Sequence, residues 1–241
     1  MAEGTDEAHP SDLAETFAEV ARSLRADGSV EATMDRIVKL AVETIDGCDH
    51  AGISLVQGRK ITTPAASDDV PVTVDAVQYE AEEGPCLDAI REHEVFTTGD
   101  LRREQRWPHF SARAVEESGV LSMLCFRLFV EENTLGALNL YSRAEAAFDA
   151  DDWTVGSVFA AHAAVALSAA IKQRQLEEAV ESRDIIGQAK GILMAREHVT
   201  ADEAFDMLRR GSQRLNVKLR ELAGRIAIGE PASSQSELHP R

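Results

Sequence analysis

The sequence has few cysteines and a deficit of basic residues, and each shortage excludes a class of protein. Cys48, Cys86 and Cys125 form no CxxC pair and are too few for a disulfide framework, which is typical of a chain in a reducing cytosol. The 25 Lys and Arg against 42 Asp and Glu give a net charge of −17. This charge argues against a general nucleic-acid-binding protein, because an acidic surface repels phosphates.

Signals for secretion, membrane insertion and metal binding are also missing. The chain does not open with the basic and apolar regions of a signal peptide, and we find no apolar run of 18 residues. We therefore predict a cytoplasmic protein with no membrane partner. The histidines are scattered without metal-ligand spacing, so no metal site is predicted.

The acidic charge is distributed unevenly along the chain. A length of 241 residues, 44% of them apolar, suits one large or two modest globular domains. Residues 183–229 contain nine Lys and Arg and six Asp and Glu, a balance of +3, so the rest of the chain carries −20. A basic segment attached to an acidic one would confine contact with nucleic acid to that segment.

Residues 183–229 are predicted to form three short amphipathic helices at the end of one long helix. Apolar residues recur in them at helical spacing. Thr200 and Glu203 have the spacing of a capping box at the start of the second helix, and Asn216 is predicted to cap the third. The apolar stripes are Ile185, Ala189 and Ile192; Ala204, Phe205, Leu208 and Leu215; and Leu219, Leu222, Ala223 and Ile226.

A family pattern is distributed over all three helices. Its residues here are Ile185, Ala189, Lys190, Leu193, Met194, Glu203, Ala204, Leu208, Arg209, Ser212, Asn216, Leu219, Ala223 and Ile226. In this order they resemble the ANTAR domain, a family of bacterial RNA-binding transcription antiterminators. The resemblance implies binding of paired hairpin loops in nascent RNA, usually by a dimer, which affects the transcription elongation machinery indirectly by preventing a terminator hairpin.

The candidate RNA-binding residues are polar and basic side chains of these helices. Lys and Arg neutralise phosphates, and the Arg guanidinium also stacks on unpaired bases. Arg210 and Arg214 lie one helical turn apart and are predicted to face one groove. Alternatively, pairs such as Asp206 with Arg210 make these cations part of a solvated helix face. The candidates are Lys190, Arg196, Arg209, Arg210, Arg214, Asn216, Lys218 and Arg220.

The segment 12–170 is predicted to be an α+β domain, an antiparallel sheet with flanking helices. Alternating apolar residues predict a hairpin over 50–63, and an apolar run at 121–130 is predicted to pair with 135–141. Helices are predicted from residue 12, after Ser29, over 86–91 and from Pro108, whereas 67–85 is not assigned. Both termini, 1–11 and 230–241, are polar and predicted to be disordered.

Four short motifs in this domain carry a second resemblance. They are Glu83-Gly-Pro-Cys-Leu-Asp88, Arg106-Trp-Pro108, Gly136-Ala-Leu-Asn-Leu-Tyr141 and Phe148-Asp149. Together they resemble a GAF sensor domain of the kind joined to ANTAR, which implies an unidentified small ligand in a pocket over the sheet and no bound cofactor. Cyclic nucleotide binding is disfavoured because Leu140 replaces the Lys of that pattern. The pocket candidates are Cys86, Phe126, Asn139 and Tyr141.

A helical pattern runs from Asp151 to Met194 without proline, including a linker over 171–182. Apolar residues recur along this helix at alternating intervals of three and four, the spacing of two helices that pair along a seam, although polar residues occupy some of these positions. We therefore predict a long connecting helix and a homodimer formed through it. The candidate dimer residues are Val158, His162, Val165, Ala169, Leu176 and Val180.

Three alternatives remain beside a non-catalytic RNA-binding regulator. The third helix of the segment 183–229 could enter a DNA major groove, although its small basic excess suits a compact hairpin better. Cys86, near a helix start, could have a lowered pKa and act as a redox sensor, and one group of GAF-fold proteins reduces free methionine sulfoxide with paired thiols. A protein-binding scaffold is favoured if neither nucleic acid binds.

Overall fold

The computed structural model describes residues 21–24, 28–92 and 94–229. It divides the chain into two compact units, with the boundary between residues 172 and 173. Most of the helix predicted from residue 12 lies outside the described residues, as do the predicted disordered ends at 1–11 and 230–241.

The first unit is built on a five-stranded antiparallel sheet with the strand order β2-β1-β5-β4-β3. Helices flank this sheet, so the predicted α+β class is confirmed. The strands are β1 (His50–Gln57), β2 (Lys60–Ala66), β3 (Phe96–Thr98), β4 (Ser122–Val130) and β5 (Asn133–Ser142). The helices are α1 (Val30–Thr44), α2 (Asp69–Ala81), α3 (Pro85–Glu92), α4 (Pro108–Ser118) and the first part of α5 (Ala150–Glu197), with a 3₁₀ turn at Leu101–Arg103.

Alternation of side chains along β4 and β5 divides the core of this unit in two. Leu124 and Leu138 pack in one cluster with residues of α1 and α5. Met123 and Tyr141 pack in the other with residues of α2, α3 and α4. Because successive strand residues point to opposite faces, each face of the sheet receives its own apolar layer.

Both predicted strand pairs are confirmed, but helix α2 was not predicted. Asp68 caps α2 by accepting a hydrogen bond from the Val70 N–H at 2.8 Å, and Val74 and Val77 are fully buried. Pro71 in the first turn breaks no helical hydrogen bond. The helix was missed because its valines and its threonine have low helix propensity and its hydrophobic face is stabilised by tertiary packing.

The second unit consists of the remainder of α5, α6 (Ala201–Leu215) and α7 (Leu219–Ala227), which confirms the three predicted helices. Its core contains Ala189 and Leu193 of α5, Leu208 of α6 and Ala223 of α7. The predicted capping box is present, since the Glu203 N–H donates to Thr200 Oγ1 at 3.4 Å and the Thr200 N–H donates to Glu203 Oε2 at 2.8 Å.

The predicted role of Asn216 as the N-cap of the third helix is wrong. Asn216 adopts the left-handed conformation, with φ +52° and ψ +41°, and ends α6 instead. Its N–H donates to the carbonyls of Ser212 and Gln213, while Lys218 occupies the N-cap of α7. Asn tolerates this backbone region better than most residues, which explains its place at a helix C-terminus.

Helix α5 is long and apolar enough to cross a membrane by length and composition. Residues 153–171 contain no Asp, Glu, Lys or Arg, and an 18-residue window of the helix reaches a mean hydropathy of 1.7. The prediction that no such stretch exists is therefore wrong. Phe159, Ala163 and Leu167 are fully buried in the core of the first unit, and this packing accounts for apolar side chains without a membrane.

Candidate nucleic-acid interface and buried polar cluster

The predicted RNA-binding residues lie on the surface of the second unit. Lys190 is partly buried, and the other seven candidates are exposed. Arg210 and Arg214 follow each other by one turn on α6, and neither forms an ion pair with a carboxylate that the structure describes. These two guanidinium groups are therefore free to bind an anion.

Two other arginines of the second unit, Arg209 and Arg225, are partly neutralised by carboxylates. Arg209 Nη2 lies 3.0 Å from Asp206 Oδ1, and Arg225 Nη2 lies 2.7 Å from Glu221 Oε1. The alternative pairing of Asp206 with Arg210 is wrong, because Asp206 pairs with Arg209 three residues on. Such exposed pairs contribute little stability, but they reduce the charge available to a ligand.

The structure brings Asn216, Lys218 and Arg220 together around a groove of about 650 Å³. The glutamates Glu178, Glu181 and Glu221 line the same groove. Their carboxylates would repel phosphates that approach Lys218 or Arg220. The three candidates at this groove are therefore less suited to phosphate binding than Arg210 and Arg214.

Phe205 was predicted to lie on the apolar face of α6 but is exposed instead. Its side chain is 38% exposed, whereas its neighbours Ala204 and Leu208 are fully buried. The Lys190 Nζ atom lies 5.8 Å from the centroid of the Phe205 ring. Helix α6 thus places an aromatic ring beside a cation on the outside of the unit.

The first unit contains a buried cluster of polar side chains around Asp75 of α2. The Asp75 carboxylate is fully buried and accepts hydrogen bonds of 2.6–3.4 Å from residues of β1, β2, α2 and β5. Tyr79 OH joins the cluster 2.8 Å from both Ser54 Oγ and Thr63 Oγ1. The donors to Asp75 are Ser54, Thr63, Gln78, Asn139 and Tyr141.

Burial determines the protonation chemistry of this cluster. It raises the pKa of Asp75 above its usual range, because desolvation of the charged form outweighs the hydrogen bonds from Tyr141 and Thr63. Burial also raises the pKa of Tyr79, and the nearby Asp75 charge acts in the same direction. The cluster therefore favours neutral side chains. Asn139 Oδ1 is buried and accepts no hydrogen bond from any residue that the structure describes.

The Glu83–Asp88 motif connects α3 to the start of α4. Glu83 Oε1 accepts a hydrogen bond from the His109 N–H at 2.7 Å, which satisfies a free donor at the start of α4. Asp88 Oδ2 accepts one from Trp107 Nε1 at 2.6 Å. Both acidic residues of the motif therefore hold α4 against α3.

Gly84 and Cys86 of the same motif contact the polar cluster. Gly84 has a φ of +141°, and a Cβ there would lie 2.3 Å from Gln78 Oε1, so only glycine fits. The Cys86 N–H donates to Gln78 Oε1 at 2.9 Å, and Cys86 Sγ donates to Ser54 Oγ at 3.1 Å. The motif thus supports the cluster.

The four predicted pocket residues do not all meet. Cys86, Asn139 and Tyr141 belong to the polar cluster or the apolar layer around it, but Phe126 lies in the core cluster with α1 and α5. A Cβ at Gly156 of α5 would lie 2.3 Å from the Phe126 ring. Phe126 therefore lies on the opposite face of the sheet from the other three predicted pocket residues, because successive strand residues face alternate sides.

Five residues of the polar cluster were not among the predicted site residues: Ser54, Thr63, Asp75, Gln78 and Tyr79. Asp75, Gln78 and Tyr79 follow helical i, i+3, i+4 spacing, so recognising α2 would have grouped them on one face. Ser54 and Thr63 lie on neighbouring strands of the predicted hairpin, but nothing in the sequence marked them as buried.

The alternative in which Cys86 has a lowered pKa is wrong. Cys86 is fully buried, and burial together with the Asp75 charge raises the pKa of its thiol. Burial likewise raises the pKa of Cys125, and that of Cys48 to about 12. All three thiols are free and buried, so none has the exposed thiolate that redox chemistry requires.

The residues that the structure describes contain no group of three or more His, Cys, Asp and Glu side chains placed to hold a metal ion.

On α5, the predicted dimer residues Val165, Leu176 and Val180 are 60–68% exposed. His162 Nδ1 lies 2.9 Å from the Val158 carbonyl of its own helix, and Ala169 is also exposed. An apolar stripe of α5 therefore faces solvent.

Family comparison agrees with this division. Residues 27–168 match the GAF domain family and residues 174–226 match the ANTAR domain family. A GAF domain followed by an ANTAR domain defines the class of sensor-controlled ANTAR regulators, and both domains are regulatory. The chain belongs to the GAF domain family and carries an ANTAR domain at its C-terminal side, which confirms both resemblances. ANTAR domains are known to bind RNA.

Solved structures share the fold of the first unit. A free methionine-R-sulfoxide reductase from Neisseria meningitidis in complex with its substrate is 15% identical, with 72% of this chain and 98% of that chain covered and a TM-score of 0.53. The GAF domain of a phosphoenolpyruvate-protein phosphotransferase from Coxiella burnetii is 13% identical, with 68% and 98% covered and a TM-score of 0.55. Comparison with curated proteins gave no significant match.

Proposed function

We propose that this chain is a transcription antitermination regulator whose ANTAR domain binds paired hairpin loops in nascent RNA. The observation that carries the proposal is the ANTAR match over residues 174–226 combined with Arg210 and Arg214. These two exposed cations lie one turn apart and face no carboxylate partner among the described residues. Arginines in this arrangement bind adjacent phosphates or stack on unpaired bases.

The charge distribution supports an RNA contact confined to one module. Residues 183–229 carry +3 and the rest of the chain carries −20. Phosphates are therefore repelled by most of the surface and attracted only by the ANTAR domain, which favours a compact ligand over a long duplex. The uneven charge therefore favours an RNA hairpin over a DNA duplex as the ligand.

The decisive experiment measures binding of the full chain to stem–loop RNAs with randomised loops. We expect selection of particular loops, and tighter binding of the selected hairpin than of a DNA duplex of equal charge across a salt series. Equal binding of both ligands at every salt concentration would contradict the proposal. Preference for the duplex would support the DNA-binding alternative, and binding of neither would favour a protein-binding scaffold.

A second part of the proposal concerns control by the GAF domain. A small ligand over the sheet would donate a hydrogen bond to the unsatisfied Asn139 Oδ1 and so alter the neutral cluster around Asp75. The exposed Val165, Leu176 and Val180 favour pairing of α5 with α5 of a second copy. The ligand would then shift that pairing and the spacing of two ANTAR domains.

Sedimentation tests the dimer. We expect the full chain to sediment as a dimer and Leu176→Glu with Val180→Glu to weaken that dimer, because each charge would enter an apolar seam. Exposed Lys39→Glu in the first unit is the matched control. A wild-type chain that stays monomeric at working concentration, with and without RNA, would remove this part of the proposal.

The proposed function includes no catalysis, and the protein is proposed to be cytoplasmic. The buried thiols favour a regulatory domain over a sulfoxide reductase, because reductase chemistry needs a reactive thiolate. Incubation with free methionine sulfoxide and a thiol reductant is expected to give no turnover. Measurable turnover by the wild type that is lost in Cys86→Ser would favour the enzyme.

A further inference from the structure

Phe205 presents an aromatic ring in a groove of the ANTAR domain. The groove has a volume of about 540 Å³ and is also lined by Arg183, Gly187 and Lys190 of α5. The ring takes no part in the apolar core of this domain, although Ala204 before it does. The ring is 38% exposed and lines this groove, so it is accessible to a partner.

Two cations accompany the ring. The Lys190 ammonium lies 5.8 Å from the ring centroid, near the outer limit for a cation–π contact, so it does not cover the ring closely. Arg183 is exposed and forms no ion pair with a described residue. At Gly187, a Cβ would meet no atom within 4 Å, so the groove is open beside the ring.

The charges that line this groove select its partner. Among the residues that line it are two cations and no carboxylate, whereas three glutamates line the groove beside Lys218. An anionic partner therefore fits the groove at Phe205 better than the other groove. An aromatic ring flanked by cations suits unpaired RNA, in which every base has a flat face and every linkage a phosphate.

We propose that Phe205 stacks on one unpaired base of the hairpin loop, while Lys190 and Arg183 bind the phosphates that flank this base. The inference rests on the proposed function and assigns a base-holding position to the same domain. Since stacking tolerates every base, this position holds the loop and leaves sequence selection to other contacts.

The test compares Phe205→Leu and Phe205→Trp in the full chain. The probe is a stem–loop RNA selected by the wild type from a pool with randomised loops. Leu should weaken binding about 10- to 100-fold because it removes the ring, whereas Trp should keep the wild-type affinity. The salt dependence should stay unchanged in both, since no charge is altered. Met194 is 38% exposed, as Phe205 is, so Met194→Ala is the matched control and should bind the RNA with wild-type affinity.

An abasic loop nucleotide completes the test. Removing the stacked base should weaken wild-type binding and abolish the difference between wild type and Phe205→Leu. Wild-type affinity of Phe205→Leu for the intact hairpin would overturn the inference while leaving the proposed function standing. If Phe205→Leu sediments as a monomer under conditions in which the wild type is a dimer, the ring contacts protein instead of RNA. That result would also overturn the inference. Failure of the wild type to select any hairpin would overturn both.

Discussion

The two domains use their polar groups in opposite ways. In the GAF domain, the most connected polar group is the buried Asp75 carboxyl, which β1, β2, α2 and β5 surround with donors. In the ANTAR domain, the cations stand outside a core of eight buried residues. Substitutions in the buried cluster of the GAF domain should therefore act on its stability and on the pH dependence of that stability. Substitutions of the surface cations of the ANTAR domain should act on RNA binding.

The largest effect is expected from Leu208→Ala in the core of the ANTAR domain. Leu208 is fully buried, and loss of its side chain should cost about 2–5 kcal/mol in a core this small. Hydrogen exchange should then show loss of protection over 201–227 and retained protection in β1, β4 and β5. Equal loss of protection in both domains would contradict the view that each has its own core.

Reversing two charges should separate binding from folding. Arg210→Glu with Arg214→Glu should weaken hairpin binding roughly 10- to 100-fold and reduce the salt slope by about two, because two phosphate contacts become repulsive. Titrations over a salt series measure both quantities. Arg103→Glu, an exposed change in the GAF domain, is the control and should leave binding unchanged. Unchanged binding by the double variant would refute the assignment of these arginines.

Asp75 should give the GAF domain a distinctive pH dependence. Its folded pKa is raised, so its favourable contribution is complete below the unfolded pKa near 3.9 and is lost as pH rises through the folded pKa. The free energy of unfolding of wild type minus that of Asp75→Asn should therefore fall as pH rises above about 4, by at most about 1.4 kcal/mol per pH unit.

Urea unfolding of both chains between pH 4 and 8, followed through the GAF domain, measures this difference. Subtracting the variant removes the other titrating groups, such as Asp49 and Asp68, whose lowered pKa values act in the opposite direction. A difference that grows with pH would show that the folded state prefers the ionised carboxylate.

The smallest effect is expected from removing a helix cap in each domain. Thr200→Ala deletes the capping box of α6, and Ser29→Ala deletes the acceptor for the Ala32 N–H at the start of α1. Each should cost about 1 kcal/mol, because one backbone donor loses its partner. Hydrogen exchange should show each loss within its own domain. A Thr200→Ala effect spread over the sheet would contradict the comparison.

Much of the fold followed from local patterns in the sequence. Alternating residues over 50–63 predicted β1 and β2, and Thr200 with Glu203 predicted the start of α6, because strand alternation and capping depend on neighbouring residues alone. The GAF motif at Glu83–Asp88 and the spread ANTAR pattern identified both families. Helix α2 was not predicted because its residues have low helix propensity and its apolar face is stabilised only by tertiary packing.

The sequence by itself determined the two families, the helices of the ANTAR domain and the uneven distribution of charge. Only the tertiary structure decided that Asp75 lies at the centre of a buried cluster, that Phe126 faces away from it and that Phe205 remains exposed. These outcomes depend on side chains brought together from distant parts of the chain. Burial and desolvation are set by that packing, so no local pattern predicts them.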